Sequence, residues 1–434
     1  MNFKKLFILF LLFLIFIPNC LVFAESDNSV ENEVDLEINS PVALLIESET
    51  GTILYEKKAF DKMYPASTTK IMTAILALEN CDLNDIATVS RDAVMSVPVD
   101  YTNANLQVGE ELTIKDLLYA FLIPSANDCG YVLAEHIAGS TEKFAEMMNL
   151  KATELGCKNT NFTNPSGIHD DNHYSTAYDL ALIGRYAMKN ETFREIVSTS
   201  SYNLPATNKY DSTDRRFVST NFLIRESQTK YYYEYATGVK TGFTDEAGDC
   251  VVASAKKDGI EYIAVILDAG YNKDWLKEKF LDSVTLFNYA FENYTTKSLG
   301  NQGEVFDKVR VSGATKDTKM LDIVLKDDIS AFIKKSDFQN NYEPNVVIDH
   351  DLKAPIIKGE LIGSVSYNVD DVTYTSYLIA GSDVEKSTVL STIFKILLVL
   401  FILYIIVRII RFRNLRKARK KKNYRKGPKK KKKF

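Results

Sequence analysis

Apolar residues recur along this chain with two different periods, and each change of period marks a boundary. Ala43–Glu47 and Thr52–Lys57 are apolar-rich runs separated by Ser-Glu-Thr-Gly, which predicts a β-hairpin with Gly51 in its turn. From Ser67 to Glu79, Ile71, Ala74, Ile75 and Leu78 follow the three- and four-residue spacing of a helix. Pro65 stands just before, so Ser67 is expected at or near the helix N-terminus. Leu117–Ile123 repeats the helical pattern until Pro124 stops it. Asp128–Ile137, Thr141–Leu155 and Thr176–Met188 continue it. Gly139 and Gly156 act as stops, and Ser140 or Thr141 as a cap.

After Tyr231 the period shortens. Ala236–Phe243, Asp249–Lys256 and Ile260–Asp268 read as three strands, with Lys257-Asp258-Gly259 as the turn between the last two. Asn272–Tyr294 reads as a long amphipathic helix. Strands, then helices, then strands again predict an α+β domain whose sheet joins the first and last parts. From Thr295 to about Asp383 the chain is strand-like and turn-rich, at Glu304–Val311, Lys319–Leu325, Asn345–Ile348, Leu361–Tyr367 and Thr373–Ile379. This predicts a small all-β domain.

Both ends have a different character. Lys4 and Lys5 precede an apolar run from Leu6 to Ile17, and Val22-Phe23-Ala24 ends in small residues. That is the layout of an export signal, with the mature chain starting near Glu25. Val389–Ile410 is apolar apart from Lys395, Arg408 and a few hydroxyls. Its unbroken part, Ile396–Val407, is 12 residues, too short alone for about 30 Å of hydrocarbon. Lys395 and Arg408 can snorkel to opposite interfaces and restore the length. A helix lying in the interface plane is the alternative. The expected order is therefore a signal peptide (1–24), a flexible leader (25–40), a catalytic domain (41–294), a β-rich domain (295–385), a membrane helix (389–410) and a basic tail (411–434).

Charge sharpens this picture. Residues 408–434 hold 16 Lys or Arg and no acid. Residues 25–407 carry 35 basic residues against 57 acidic ones, a net charge of −22. So acidic a body is a poor partner for nucleic acid. The basic end places the tail in the cytoplasm and residues 25–388 outside. Cys81, Cys129, Cys157 and Cys250 follow the signal segment without any metal-ligand spacing, and they read as small buried hydrophobes. The chain has four histidines, too few for a zinc peptidase to build from. No metal or cofactor is expected.

Three strings carry the chemistry: Ser67-Thr-Thr-Lys70, Ser125-Ala-Asn127 and Lys240-Thr-Gly242. Each alone is weak, since S-x-x-K also occurs at Ser140, Ser227 and Ser254. Together and in this order they supply a complete kit for acyl transfer without histidine. Ser67 and Lys70 share a helix face. A serine hydroxyl needs a neighbour to take its proton, and a lysine can do so where burial or a second cation, Lys240, favours its neutral form. Ser125 would pass a proton to the leaving amine. Asn127 would hold a substrate amide and Lys70. Lys240 and Thr241 would bind a terminal carboxylate, and Gly242 would let a ligand lie close to the strand. His169 and His173 lack a G-x-S-x-G elbow to serve and read as loop residues.

These residues resemble the low-molecular-mass penicillin-binding proteins, the serine-type D-Ala-D-Ala carboxypeptidases. The likeness covers residues 41 to about 380. It rests on Pro65-Ala-Ser-Thr-Thr-Lys-Ile-Met-Thr-Ala74, Pro124-Ser-Ala-Asn-Asp128, His173-Tyr-Ser-Thr-Ala-Tyr-Asp-Leu180 and Gly238-Val-Lys-Thr-Gly-Phe-Thr244. Lys353-Ala-Pro-Ile-Ile-Lys-Gly-Glu-Leu-Ile-Gly363 is similar to the family's small β domain. The resemblance implies a β-lactamase-like fold, an antiparallel sheet with a helical cluster. It implies removal of the last D-Ala from peptidoglycan stem peptides through an acyl-enzyme on Ser67, with the oxyanion held by the backbone N–H groups of Ser67 and Phe243. It also implies acylation by β-lactam antibiotics. Phe243 stands where the family often has His, and Cys129 follows the second motif. A β-lactamase, a D,D-endopeptidase and a non-catalytic wall-tethered scaffold are the competing readings. The first lacks an E-x-x-L-N loop here.

Overall fold

The computed structural model describes residues 36–348 and 352–424. The expected signal peptide, most of the leader and the last part of the basic tail lie outside the described residues. Residues 36–39 carry no regular secondary structure.

The predicted hairpin forms as β1 (Val42–Glu47) and β2 (Ile53–Lys57). Gly51 turns between them at φ +82°, a conformation that favours glycine. All six residues of β1 are buried, as a strand inside a sheet covered on both faces requires. The helical middle follows as α1 (Lys70–Asn80), α2 (Ile114–Leu122), α3 (Asn127–Ala138), α4 (Thr141–Glu154), α5 (Ala177–Ala187) and α6 (Glu191–Ser198). Gly139 ends α3 in the left-handed region, and Ser140 and Thr176 cap α4 and α5 through their side chains.

The chain then returns as β3 (Ala236–Thr244), β4 (Gly248–Lys257) and β5 (Ile260–Ala269), and α7 (Glu278–Asn293) closes the domain. The sheet order is β2-β1-β5-β4-β3, antiparallel throughout. The first and last parts of the domain therefore lie side by side, as the order of periods predicted, and β3 is an edge strand. Helix α1 is buried from Lys70 to Ala77. Burying Ile71, Met72, Ile75 and Leu76 contributes about 1.5–3 kcal/mol each.

Ser67 lies in a single 3₁₀ turn, Ala66–Thr69, that leads into α1, so it stands near the helix N-terminus as expected. One expectation needs correction. The closing helix starts at Glu278, not Asn272. The Asn272 side chain accepts the N–H groups of Asp274 and Leu276, both at 2.9 Å, and this local turn outcompetes helix there.

Beyond α7, β6 (Tyr294–Gly300) follows at once. Next come β7 (Val305–Arg310), β8 (Met320–Leu325), β9 (Ile329–Lys334), β10 (Asn345–Ile348), β11 (Leu361–Val369) and β12 (Val372–Ala380). Strands β6 and β9 pair, and the rest form a sheet of order β7-β8-β12-β11-β10 around Leu321, Ile323, Ile362, Val365 and Leu378.

Helix α8 (Val389–Tyr424) is 36 residues long, and Thr392–Arg419 within it is long and apolar enough to cross a membrane. It exceeds the expected limit at 410. The basic segment is made of good helix formers and meets no Gly or Pro before Gly427. Cys81, Cys129, Cys157 and Cys250 are all free thiols. Cys129 and Cys250 are buried, while Cys81 and Cys157 are only half-buried.

Candidate active site

The first motif sits where the 3₁₀ turn meets α1. Lys70 Nζ lies 2.8 Å from Ser67 Oγ, and the lysine has 0% of its surface exposed. Its amine also donates to Asn127 Oδ1 and to the Ser166 carbonyl oxygen, each at 2.7 Å. Three acceptors match the three donors of an ammonium. With one proton gone, two fixed partners remain and a lone pair is free for the third, the serine. Burial, and after it the charge of Lys240, pulls the Lys70 pKa well below that of an ordinary lysine. This is the electrostatic setting that the motif predicted.

Each acceptor is held by local turn chemistry. Asn127 opens α3, and both its backbone N–H and its side-chain amide donate to the Thr102 carbonyl, at 2.8 and 2.7 Å. That fixes Oδ1 toward Lys70. The Ser166 carbonyl is aimed by Asn164, whose Oδ1 accepts the N–H groups of Ser166, Gly167 and Ile168 at 3.1, 2.8 and 3.1 Å. Gly167 has φ +77°, and a Cβ there would lie 1.8 Å from the Ala66 carbonyl oxygen, so this loop closes on the turn that carries Ser67 only with glycine. Motif reading missed Ser166. Its backbone does the work, and the one sequence sign was the turn-forming string Asn164-Pro-Ser-Gly167.

The second motif is strained. Ser125 has φ +70°, a left-handed conformation that costs a non-glycine residue about 1–3 kcal/mol and clusters at functional sites. Ala126 stands at the N-cap position of α3 and makes no side-chain capping bond. The Ser125 hydroxyl makes no hydrogen bond among the described residues and is left half-buried in the loop that carries Asn127.

The third motif lies on β3. Lys240 is 1% exposed, and its amine donates to the Thr241 carbonyl at 2.7 Å. The Thr241 hydroxyl is 2.6 Å from that of Thr220. A Cβ on Gly242 would lie 2.8 Å from the Ser67 nitrogen. The strand therefore reaches the Ser67 amide, and only a residue without a side chain permits it. Phe243 follows with its ring 58% exposed. Burial, and next the charge of Lys279, brings the Lys240 pKa down to about 7. Lys279 on α7 went unnoticed in the sequence. It is buried, lies 3.4 Å from the Gly242 carbonyl and is ion-paired with Asp249.

His173 is a structural residue. Its Nδ1 accepts the Thr163 N–H at 3.1 Å, so Nε2 carries the proton and donates to Thr69 Oγ1 at 2.8 Å. Burial lowers its pKa to about 4 and keeps it neutral. His169 packs edge-on against Tyr64. Neither approaches Ser67 as a base would.

A buried amine in contact with one hydroxyl, beside an edge strand that carries a second buried amine, is a site built for acyl transfer from a peptide end. Comparison with known proteins agrees. Residues 27–270, more than half of the chain, match the peptidase S11 model, described as D-alanyl-D-alanine carboxypeptidase. Residues 294–386 match the penicillin-binding protein 5 C-terminal domain. The chain is 34% identical to D-alanyl-D-alanine carboxypeptidase DacF of Bacillus subtilis over 382 residues, covering 87% of this chain and 93% of the relative. It is 28% identical to DacA of Haemophilus influenzae, covering 77% and 82%. Among solved structures, penicillin-binding protein 5 from Haemophilus influenzae superposes with a TM-score of 0.62 at 28% identity, over 81% of this chain and 98% of that one. The chain therefore belongs to the peptidase S11 family of D-alanyl-D-alanine carboxypeptidases, serine hydrolases that act on peptidoglycan peptides ending in D-Ala-D-Ala and bind β-lactams.

Proposed function

We propose that Ser67 is the nucleophile, Lys70 its base and Ser125 the relay to the leaving group. Neutral Lys70 takes the Ser67 proton as Oγ attacks the carbonyl between the two terminal D-Ala residues. The backbone N–H groups of Ser67 and Phe243 hold the oxyanion. Ser125 delivers the proton to the departing D-Ala nitrogen. Water then attacks the acyl-enzyme, again with Lys70 as base. Asn127 orients the substrate amide, and Lys240, Thr241 and Gly242 receive its C-terminal carboxylate and backbone. A β-lactam enters as a mimic of that end. The observation that carries this reading is a fully buried lysine amine 2.8 Å from the Ser67 hydroxyl.

In the same reading, residues 1–24 are a removed signal, 41–294 form the peptidase domain and 295–385 the β domain that stands between it and the bilayer. Helix α8 anchors the protein, with the basic end cytoplasmic and the catalytic part outside. The 16 Lys or Arg in residues 408–434 support that orientation.

The test is mass spectrometry of the full-length protein after benzylpenicillin, with release of D-Ala from a D-Ala-D-Ala pentapeptide measured in parallel. One adduct is expected, on the peptide containing Ser67. An adduct elsewhere overturns the assignment.

The two lysines also predict the pH dependence. A carboxylate clamp needs Lys240 charged, and its pKa is about 7. Raising the pH through 7 removes that charge, so kcat/KM falls on the alkaline side. Lys70 must be neutral, and its lowered pKa moves the acid-side fall well down from where an ordinary lysine would put it. A profile flat from pH 6 to 9 would contradict this.

A further inference from the structure

We propose that Asp249 is a positioning residue for the carboxylate clamp, holding Lys279 behind Gly242 so that its charge acts on Lys240. The inference rests on the reading of the site given above. Asp249 lies on β4 directly opposite Phe243, and Cys250 lies opposite Gly242. Asp249 is 2% exposed. It accepts from two lysines, Lys277 Nζ on the outer side at 3.1 Å and Lys279 Nζ on the inner side. Lys277 is tied in turn to the Tyr271 hydroxyl at 2.7 Å. Lys279 reaches the Gly242 carbonyl, and Lys240 lies on the same strand.

The charge count gives this arrangement its meaning. Asp249 meets two lysines, Lys277 and the buried Lys279, and Lys240 is a further buried amine on the neighbouring strand, so the cluster holds more positive than negative charge. Cys250 and Asp268 lie beside Asp249, and of these only Asp268 can add an anion. Buried charges need a counter-charge. A ligand carboxylate beside Lys240 would supply the missing one. Asp249 performs the part-neutralisation that lets a buried Lys279 remain protonated, since its attraction opposes the effects of burial and of Lys277. Burial is the larger cause of the lowered Lys240 pKa, and charged Lys279 adds to it. Asp249 thus adjusts the clamp without touching substrate.

The experiment compares Asp249→Asn with the unaltered full chain by KM, kcat and pH profile for D-Ala release. At pH 6, KM should rise by up to about tenfold, with kcat within about twofold, because one cation's field on the bound carboxylate is lost. The alkaline limb should move above pH 7 as Lys240 loses its charged neighbour. Asp249→Glu should restore both. Lys277→Gln leaves the Asp249–Lys279 pair whole and should keep the limb near 7. Lys279→Gln removes the cation that Asp249 holds, so it should reproduce the Asn phenotype even if Asp249→Asn does not fold. If either folded variant keeps KM and the limb unchanged while the unaltered protein releases D-Ala, the inference is wrong. If the unaltered protein releases none, the reading beneath it fails instead.

Discussion

Exchanging Ser67 for Ala is expected to lower D-Ala release by about a millionfold, the scale seen when an activated nucleophile is removed, and to end covalent labelling by penicillin. The mutation takes away the one hydroxyl that Lys70 contacts. It leaves the amine its other two partners, Asn127 and the Ser166 carbonyl. The fold should therefore persist, because Ser67 is the one half-buried residue of an otherwise buried turn and its hydroxyl contributes little packing. Thermal unfolding should stay within a few degrees of the unaltered protein, which separates loss of chemistry from loss of structure. Normal D-Ala release or a stable adduct in this variant would remove Ser67 from the mechanism.

The second large effect is expected from a single methyl group. Gly242→Ala places a Cβ 2.8 Å from the Ser67 nitrogen, 3.0 Å from Ala66 Cβ and 3.2 Å from the Pro65 carbonyl oxygen. Two of these three neighbours are backbone atoms and cannot rotate away. The strand must back off from the turn, and the space where an oxyanion would sit between Ser67 and Phe243 is distorted. Losing one such donor costs roughly a hundredfold to a thousandfold in kcat. KM should change less, because Lys240 and Thr241 remain on the strand. Steady-state kinetics of the purified variant gives the split. An unchanged kcat would mean that the oxyanion is held elsewhere.

The parts of the site that could be read from the sequence were those written as contiguous strings. Ser67 and Lys70 lie one turn apart, so local geometry alone puts amine beside hydroxyl. Lys240, Thr241 and Gly242 share a strand whose apolar pattern is clear. What escaped notice depends on tertiary approach. The Ser166 carbonyl belongs to a backbone that any residue could offer. Asp249, Lys277 and Lys279 meet only because α7 packs across β4 and β5. Element errors have equally specific causes. Helix α6 was passed over because its residues are mostly polar, with only Phe193, Ile196 and Val197 buried. Strand β6 reads as a polar connector, since just Gly300 is buried in it, and its pairing with β9 stabilises it from outside. The early start assigned to α7 came from counting apolar periodicity across Asn272, whose side chain bonds its own loop.

The three partners of the Lys70 amine come from separate stretches of chain, one 3 residues before it and the others 57 and 96 residues beyond it. A chain that is still completing its tertiary contacts keeps this amine in water, where it is an ordinary cation and no base. Hydrolytic power thus arrives with the last packed contact, and an unfinished molecule cannot cut the material it passes through.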